Sequence, residues 1–382
     1  MKVAILHEMF VKLGGAEKVV EAFLEMFPEA DLYTLIYDEE KTGSVFPKEK
    51  INPQVLKLLS QKIYNLTKNQ RYCLPFMAKS IETLDFSEYD LVIASSSGFA
   101  HGAITKPDTK FVVYYHSPSR YMWDYTNEYK KSIGWDKGVK GYLLNELFLK
   151  LRQWDYIASA RVDLPIMASA HVQKRIVKYY RRNDSIVLHP PVEVEKFINY
   201  TPSPLSPLPK VDRNSSNEYY ITIAALTEWK RHDIHINAFN KMQDKKLKIV
   251  GVGNYEEKLK EMVEGNNIEF AGYKSGDELI ELLVGAKGFI FSSEDDFGIA
   301  PIEAMACGVP VFGLKAGGLA ETSIEGITGE FFEHKDGLDF IEKFITFEKN
   351  IESGVYDKEK IIQHAKGFSK QVFEEKFRKI IK

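Results

Sequence analysis

Short apolar runs recur along the chain, separated by stretches long enough for a helix, and this alternation restricts the fold more than any other feature. The first six runs are Lys2–Leu6, Asp31–Leu35, Leu91–Ala94, Phe111–Tyr115, Pro165–Ala168 and Ile186–Leu188. Six more are Tyr219–Ala224, Leu247–Val250, Ile268–Ala271, Gly288–Phe291, Pro310–Phe312 and Glu330–Phe332. Strands joined by crossover helices form parallel sheets that are covered on both faces. The sequence therefore predicts an α/β protein with two doubly wound domains and a cleft between them.

A proline-rich stretch separates the two series of runs. It begins near Pro190, and proline at this density does not continue a helix or a central strand. We expect a first domain at 1–190, a linker at 191–217 and a second domain at 218–364. The last segment, from about 358 to 382, has apolar residues at helical spacing, and its part from about 365 is expected to cross back to the first domain.

Composition indicates an ordinary globular protein. Of the 382 residues, 44% are hydrophobic and 27% are charged, and the formal net charge of -3 argues against a nucleic-acid partner. The two cysteines, Cys73 and Cys307, are too few for a disulfide framework and fit a reducing compartment. No apolar run is long enough to span a bilayer. We expect a cytoplasmic protein.

An acidic loop follows the run that ends at Ser292. Glu294, Asp295 and Asp296 come next, and Pro301 then fits the first turn of a short helix predicted over Ile302–Cys307, with Glu303 near its start. Ligands of open α/β sheets bind beyond the carboxyl ends of the strands, and a helix N-terminus attracts phosphate. A phosphorylated ligand is the natural inference. The alternative is that Glu303 only complements the helix dipole and the aspartates belong to a solvated loop.

The same acids could also be read as a metal site. No histidine or further carboxylate stands nearby in the sequence to complete a coordination sphere. We therefore expect no metal.

Two cations follow the first run of the second series. Lys230 and Arg231 precede a helical segment, where positive charge opposes the helix dipole unless an anion binds there. This favours a phosphate clamp. The alternative is that both side chains form surface ion pairs with Glu228 and Asp233.

The first half carries two weaker signals. Gly14 and Gly15 form either a plain turn or a turn whose bare amides approach a phosphate, and no complete nucleotide-binding glycine motif surrounds them. His116 ends an apolar run and precedes several aromatic residues, a combination that suits carbohydrate. A lone histidine is as often structural.

The segment 54–80 is basic and contains no acid. Its cations are interleaved with leucines and aromatic residues and are Lys57, Lys62, Lys68, Arg71 and Lys79. Such a segment can lie on an anionic membrane. A cleft wall or an ordinary pair of amphipathic helices explains it equally well.

Together these residues resemble the retaining glycosyltransferases of family 4, which have the GT-B architecture of two Rossmann-like domains. The most specific match is an acid, seven residues, a glutamate and then Ala-Met-Ala-Cys-Gly-x-Pro-Val, which here runs from Asp295 through Glu303 to Val311. Shorter matches follow in order, at 229–230, 251–253, 272–273 and 316–321. Residues 116–124 are similar to a mannosyltransferase branch of polysaccharide and O-antigen assembly.

The resemblance implies roles for the matching residues. Four residues would be catalytic. His116 would contact the donor sugar, Lys230 the diphosphate, Asp295 the sugar or the acceptor, and Glu303 the ribose. The donor-binding residues would be Gly14, Gly15, Arg231, Gly253, Gly272, Tyr273, Lys274, Glu294, Phe297, Gly298 and Ile299.

Two positions depart from the family pattern. Asp295 stands where the family has a longer glutamate, for which Glu294 is a candidate substitute. Ala225 stands where many members have an arginine, and we hypothesise that Arg231 supplies that charge.

The implied reaction moves a hexose, with mannose from GDP-mannose favoured over UDP-sugars, to a saccharide or lipid-linked saccharide. It would serve cell-surface polysaccharide or glycolipid synthesis, with retention at the anomeric carbon and without a cofactor or an obligatory metal. The acceptor would meet the protein at the inner membrane face, through 54–80. The alternatives are an epimerase or phosphorylase on a similar scaffold, or a non-catalytic nucleotide-sugar binding module.

Overall fold

The computed structural model describes residues 1–201 and 219–382, which divide into two compact units. The first unit is Met1–His189 together with Glu374–Lys382, and the second is Pro190–Phe373 as far as it is described. Among the described residues, no helix combines the length and the apolar character that a membrane span requires.

The first unit is built on a six-stranded parallel sheet with the order β2-β1-β3-β4-β5-β6. Its strands are β1 Val3–His7, β2 Asp31–Thr34, β3 Leu91–Ser96, β4 Lys110–Tyr115, β5 Leu164–Met167 and β6 Ile186–Val187. In five of the six strands at most one residue is not buried, as expected for a sheet with helices on both faces. The carboxyl ends of β1, β3 and β4 are neighbours in this order.

Helices cover both faces of this sheet. They are α1 Gly15–Met26, α2 Glu39–Thr42, α3 Leu59–Thr67, α4 Leu74–Glu82, α5 Thr126–Ser132, α6 Gly138–Ser159 and α7 Ala170–Tyr180. Short 3₁₀ turns lie at Lys48–Lys50, Val55–Lys57, Gln70–Cys73 and Ala100–Gly102. The basic segment 54–80 thus forms helices α3 and α4 with their adjoining turns.

The second unit has a six-stranded parallel sheet with the order β12-β11-β10-β7-β8-β9. Its strands are β7 Tyr219–Ile223, β8 Lys246–Val250, β9 Ile268–Gly272, β10 Ala286–Phe291, β11 Val311–Leu314 and β12 Gly329–Phe332. One apolar core lies on each face of the sheet. The two sheets confirm the predicted fold of two Rossmann-like, doubly wound domains.

Nine helices complete the description of the chain after residue 190. They are α8 Val194–Ile198, α9 His232–Asn240, α10 Glu256–Glu261, α11 Gly276–Val284, α12 Ile299–Ala306, α13 Leu319–Thr322, α14 Phe340–Glu352, α15 Lys358–Lys366 and α16 Lys370–Ile381. A 3₁₀ turn, Glu228–Lys230, precedes α9.

The predicted linker lies only partly within the described residues. Residues 191–201 belong to the second unit, where Val192, Val194 and Phe197 are buried in an apolar core. The high proline content predicted a linker, although the burial of these three side chains holds α8 against the domain. The remainder of the predicted linker, 202–217, lies outside the described residues.

The carboxyl-terminal segment differs from its prediction. Instead of one helical segment, α15 and α16 are separate helices, and the part that belongs to the first unit begins at Glu374. Phe377 packs against Phe23 of α1 with 4.8 Å between ring centroids, and Lys110 Nζ donates to the carbonyl oxygen of Ile381 at 2.6 Å. Apolar packing on α1 therefore anchors the end of the chain.

Candidate active site

The acidic loop leaves the carboxyl end of β10 and is held by a glycine pair that follows β11. The amide of Gly318 donates to the carbonyl oxygen of Asp295 at 2.8 Å. A side-chain carbon on Gly317 would overlap that same oxygen, and one on Gly318 would overlap the backbone of Phe297. Only glycine permits this close approach, so the pair fixes the path of the acidic loop.

Helix α12 starts earlier than predicted. Its first residue is Ile299 and its N-cap is Gly298, which has φ 88°, whereas the sequence placed the start at Ile302. The left-handed conformation of Gly298 reverses the chain after Phe297, so Pro301 falls inside the first turn. The amides at the start of α12 therefore lie directly beside the acidic loop, and Glu303 is the fifth residue of the helix.

Lys230 and Asp295 form an ion pair in the second unit. The ammonium group, carried on the turn after β7, meets the carboxylate after β10, and both side chains are about one-fifth exposed. The two strands are neighbours in the sheet. Two of the four predicted catalytic residues are thus in direct contact at a strand-end edge. In the loop, Glu294 accepts a hydrogen bond from Lys335 Nζ at 2.5 Å.

Arg231 is engaged by its own neighbours. It adopts φ 54°, and its guanidinium donates to the Asp233 carboxylate at 3.0 Å and to the carbonyl oxygen of Lys335 at 2.8 Å. The hydrogen bond and charge of Asp233 raise the pKa of Arg231. The alternative of a surface ion pair with a nearby acid is therefore correct for Arg231, which pairs with Asp233. It is wrong for Lys230, which pairs with Asp295. A donor contact by Arg231 stays a prediction.

The remaining donor-binding candidates of this unit lie along other strand ends. Gly253 follows β8, and a side-chain carbon there would overlap the carbonyl of Leu226, which gives it a structural reason to be glycine. Gly272, with φ 69°, ends the edge strand β9. Tyr273 is 71% exposed, and Lys274 pairs with Glu278 at 3.4 Å. Their contacts with a nucleotide stay predictions.

The first unit contains a pocket of about 490 Å³ at the start of α1. Gly14 and Gly15 line it together with Lys12, Glu17 and Arg71. Arg71 belongs to the basic segment, so part of that segment lines this pocket of the first unit.

Glu8 is a pocket residue that the sequence analysis missed. Its Oε1 accepts hydrogen bonds from the amides of Ser97, Gly98, Phe99 and Ala100, at 3.2, 2.9, 2.6 and 2.8 Å, and from the hydroxyl of Ser96 at 3.1 Å. The side chain is 5% exposed. An acid directly after the buried strand β1 was the available signal.

His116 ends a chain of polar side chains in the first unit. Its Nε2 lies 2.7 Å from Ser95 Oγ, which lies 3.0 Å from His7 Nδ1, and His7 Nε2 lies 3.4 Å from Glu17 Oε1. Burial, assisted by His7, lowers the pKa of His116 to about 3, so its imidazole is neutral near pH 7. His7, Ser95 and Glu17 escaped the sequence analysis because their partners are distant along the chain.

Two family models match the chain. One, described as Glycosyltransferase Family 4, matches residues 13–196, and the other, described as Glycosyl transferases group 1, matches residues 208–366. The first therefore covers most of the first unit, and the second covers the unit that contains Lys230 and Asp295.

Two curated relatives match part of the chain. An uncharacterized glycosyltransferase of Methanocaldococcus jannaschii is 31% identical over 40% of this chain and 44% of its own length. The N-acetyl-alpha-D-glucosaminyl L-malate synthase of Bacillus anthracis is 34% identical over 32% of this chain and 34% of its own length. The chain thus matches less than half of the length of these relatives.

A solved structure covers both units. Anabaena HepE, crystallised in complex with UDP and glucose, covers 100% of this chain and 99% of its own chain with a TM-score of 0.70 and 16% identity. At this identity the likeness establishes the fold. The chain therefore carries the two domains of a GT-B glycosyltransferase, a Glycosyltransferase Family 4 domain followed by a Glycosyl transferases group 1 domain.

Proposed function

We propose that this protein transfers a hexose from a nucleotide diphosphate sugar to a saccharide or lipid-linked saccharide, with retention at the anomeric carbon. The observation that carries the proposal is the Lys230–Asp295 pair beside the amino-terminal end of α12. A fixed ammonium group and free helix amides are suited to the charge that develops on a departing diphosphate. In this proposal they supply the electrostatic stabilisation, and no cofactor or metal is required.

Two classes of donor have support. The segment 116–124, similar to a mannosyltransferase branch, favours GDP-mannose. The UDP and glucose bound by HepE, and the glucosaminyl product of the Bacillus anthracis synthase, favour a UDP-linked hexose or N-acetylhexosamine. We place UDP-glucose and UDP-N-acetylglucosamine first and GDP-mannose next.

The donor is tested by thermal stability and turnover in a panel of these three nucleotide sugars. A ligand that binds only the folded protein raises its melting temperature, so we expect one donor to raise it by several degrees more than the others. The same donor should release its nucleoside diphosphate slowly in water and faster with an acceptor. Absence of stabilisation by every donor would overturn the proposal.

The panel also separates the alternatives. A non-catalytic binding module would be stabilised without releasing nucleotide, and an epimerase would return a nucleotide sugar of changed configuration. Anomeric configuration in the product, read by proton NMR, tests retention.

We further propose that the acceptor is met at an anionic membrane surface, on the cytoplasmic face, through the first unit. In 54–80 the five cations accompany Leu66 and Tyr72, which are 87% and 61% exposed. Helix α6, which packs near α4, also exposes Tyr142 and Leu143. Exposed apolar side chains interleaved with basic side chains are typical of helices that lie on anionic bilayers.

Sedimentation with vesicles tests this surface. We expect the protein to bind vesicles of phosphatidylglycerol and phosphatidylcholine, and the double variant Leu66→Ser/Tyr72→Ser to bind them about tenfold more weakly, because each exposed apolar side chain contributes buried area. Leu338→Ser, at a 79% exposed leucine of the second unit, is the matched control and should bind normally. The proposal would be contradicted if the double variant bound these vesicles as tightly as the wild-type protein. It would also be contradicted if the wild-type protein bound vesicles of pure phosphatidylcholine equally well.

A further inference from the structure

The solvent-facing side of helix α6 is apolar toward both of its ends. The helix has 22 residues, and Leu144, Phe148 and Leu151 are among those that it buries. Large apolar side chains on the opposite side are each between 47% and 76% exposed, and they are Val139, Tyr142, Leu143, Leu149, Tyr156 and Ile157. Steps of three, four and seven residues place them in one stripe along the helix. We call this stripe, with Glu146 and Lys150 at its middle, the outer face of α6.

The outer face departs from the usual pattern of a surface helix, which directs charged and polar side chains to solvent. At the rise of an α-helix, the stripe extends for about 27 Å from Val139 to Ile157. Contiguous exposed apolar surface of this kind marks an interaction site. We therefore expect a partner to cover the outer face.

Two opposite charges lie at the middle of the outer face. The side chains of Glu146 and Lys150 are exposed, and among the described residues neither side chain forms an ion pair or a hydrogen bond. A glutamate and a lysine at this spacing can pair within one helix, but these two do not. Both charged groups are therefore available to a partner.

The pattern of the outer face is the same when it is read from either end. Val139 and Ile157 lie equally far from Phe148 along the helix, and so do Glu146 and Lys150. When two antiparallel helices are related by a two-fold axis at the level of Phe148, each residue meets the one that lies equally far on the other side. Val139 would then meet Ile157, Glu146 would meet Lys150, and each pair would occur twice.

A membrane does not suit the charge pattern of the outer face. In the segment 54–80 every charged residue is basic, whereas the outer face has the Glu146 carboxylate at its middle. Anionic lipid headgroups would repel that carboxylate, while Lys150 of a second copy would pair with it. Leu66 and Tyr72, the exposed apolar side chains of 54–80, do not belong to the outer face.

We propose that α6 is a dimerisation helix, on which a second copy of the chain packs antiparallel about a two-fold axis at the level of Phe148. Apolar contacts form at the two ends of the interface, and two Glu146–Lys150 pairs cross its centre. A stable interface of standard size buries about 800 Å² on each partner, and a single helix pair is at the lower end of that class. We therefore expect a dissociation constant on the order of 10 µM.

Sedimentation velocity of the full chain tests the dimer directly. Between about 1 and 200 µM, a range that brackets the expected dissociation constant, the sedimenting mass should rise from that of one chain toward that of two. A chain that stays monomeric over the whole range would overturn the proposal.

Reversal of charge tests the central pairs. In Lys150→Glu, like charges would meet across the axis, so the dissociation constant should rise at least about tenfold. The double variant Glu146→Lys/Lys150→Glu restores opposite charges across the axis and should dimerise within about threefold of the wild type. Lys174→Glu, at an exposed lysine of α7, is the matched control because it changes the net charge equally. If Lys150→Glu dimerised like the wild type, or if the double variant stayed as weak as Lys150→Glu, the proposal would be overturned.

Crosslinking tests the antiparallel arrangement. The native cysteines, Cys73 and Cys307, are buried, so thiols introduced on the outer face react separately. A short bismaleimide should link the Val139→Cys chain to the Ile157→Cys chain when the two are mixed. Neither chain should be linked to itself, because the two copies of position 139 lie at opposite ends of the interface. Equal linking of either variant to itself would mean a different arrangement and would overturn the proposal.

The double variant Val139→Ser/Ile157→Ser distinguishes a second copy from a lipid surface. It removes apolar area at both ends of the interface, so its dissociation constant should rise at least about tenfold. Vesicle binding is compared at about 1 µM, where the wild type is mostly monomeric. If the variant kept the dimer and lost its binding to phosphatidylglycerol vesicles, the outer face would contact lipid and the proposal would be overturned. None of these measurements requires turnover, so their result is independent of the proposed function.

Discussion

Replacing Lys230 with methionine should lower nucleotide-sugar turnover by roughly 100- to 1000-fold, the usual loss when one preorganised charge at a developing anion is removed. Methionine keeps the length and apolar stem of lysine and removes only the ammonium group. Lys230 is pre-positioned for this task, since the Asp295 carboxylate holds it beside the start of α12. The measurement is kcat/KM from nucleotide release with the best donor of the panel.

The matched control for this variant is Lys335→Met. Lys335 also pairs with a residue of the acidic loop, Glu294, but its side chain is 66% exposed, and exposed ion pairs contribute little. We expect its kcat/KM to stay within about threefold of the wild type, consistent with a weak surface pair. If Lys230→Met retained its activity while melting normally, Lys230 would have no part in stabilising the diphosphate.

The strands were predictable because burial on both faces leaves a direct trace in the sequence. A parallel strand such as β4 is an uninterrupted apolar run, Phe111–Tyr115, and each of the twelve predicted runs corresponds to a strand. The order of the strands in each sheet was not predictable from these runs, since every run carries the same signal. The neighbouring strand ends that assemble the site are therefore a result of the structure alone.

Helix boundaries depended on single backbone conformations that composition does not show. Gly298 could equally have been part of a loop, and only its positive φ moves the start of α12 to Ile299. Similarly, the proline-rich stretch after residue 190 contains Val192, Val194 and Phe197, whose burial outweighs the local signal for a linker. A single backbone conformation decided the first case, and tertiary packing decided the second.

Family motifs supplied the candidate site residues one at a time, but the motifs did not predict which candidates pair with each other. Lys230 and Asp295 are 65 positions apart, and His7 and Ser95 are 88 positions apart. Glu8 carried no motif at all, because its partners are backbone amides that any residue can offer. Its importance follows from the number of donors that meet one oxygen atom.

Replacement of Glu8 by alanine should therefore strongly destabilise the first unit. Four backbone amides and one hydroxyl would lose their common acceptor, a side chain that is 5% exposed. Unsatisfied buried donors cost about 1–3 kcal/mol each, and partial access of water to the enlarged cavity reduces the sum, so we expect a loss of about 4 kcal/mol. Hydrogen exchange at the amides of Ser97–Ala100 measures the loss locally.

Glu8→Gln separates hydrogen bonding from charge. The amide oxygen of glutamine can occupy the position of Oε1 and accept from the same amides, whereas its NH₂ group cannot, so the side chain has one allowed orientation. The loss should then be about 1–2 kcal/mol, the difference between charged and neutral acceptors. Glu49→Ala, at an exposed acid of the same unit, is the control and should exchange like the wild type. If Glu8→Ala and Glu8→Gln accelerated exchange at these amides equally, the negative charge of Glu8, and not its role as a shared acceptor, would be what holds the turn after β3.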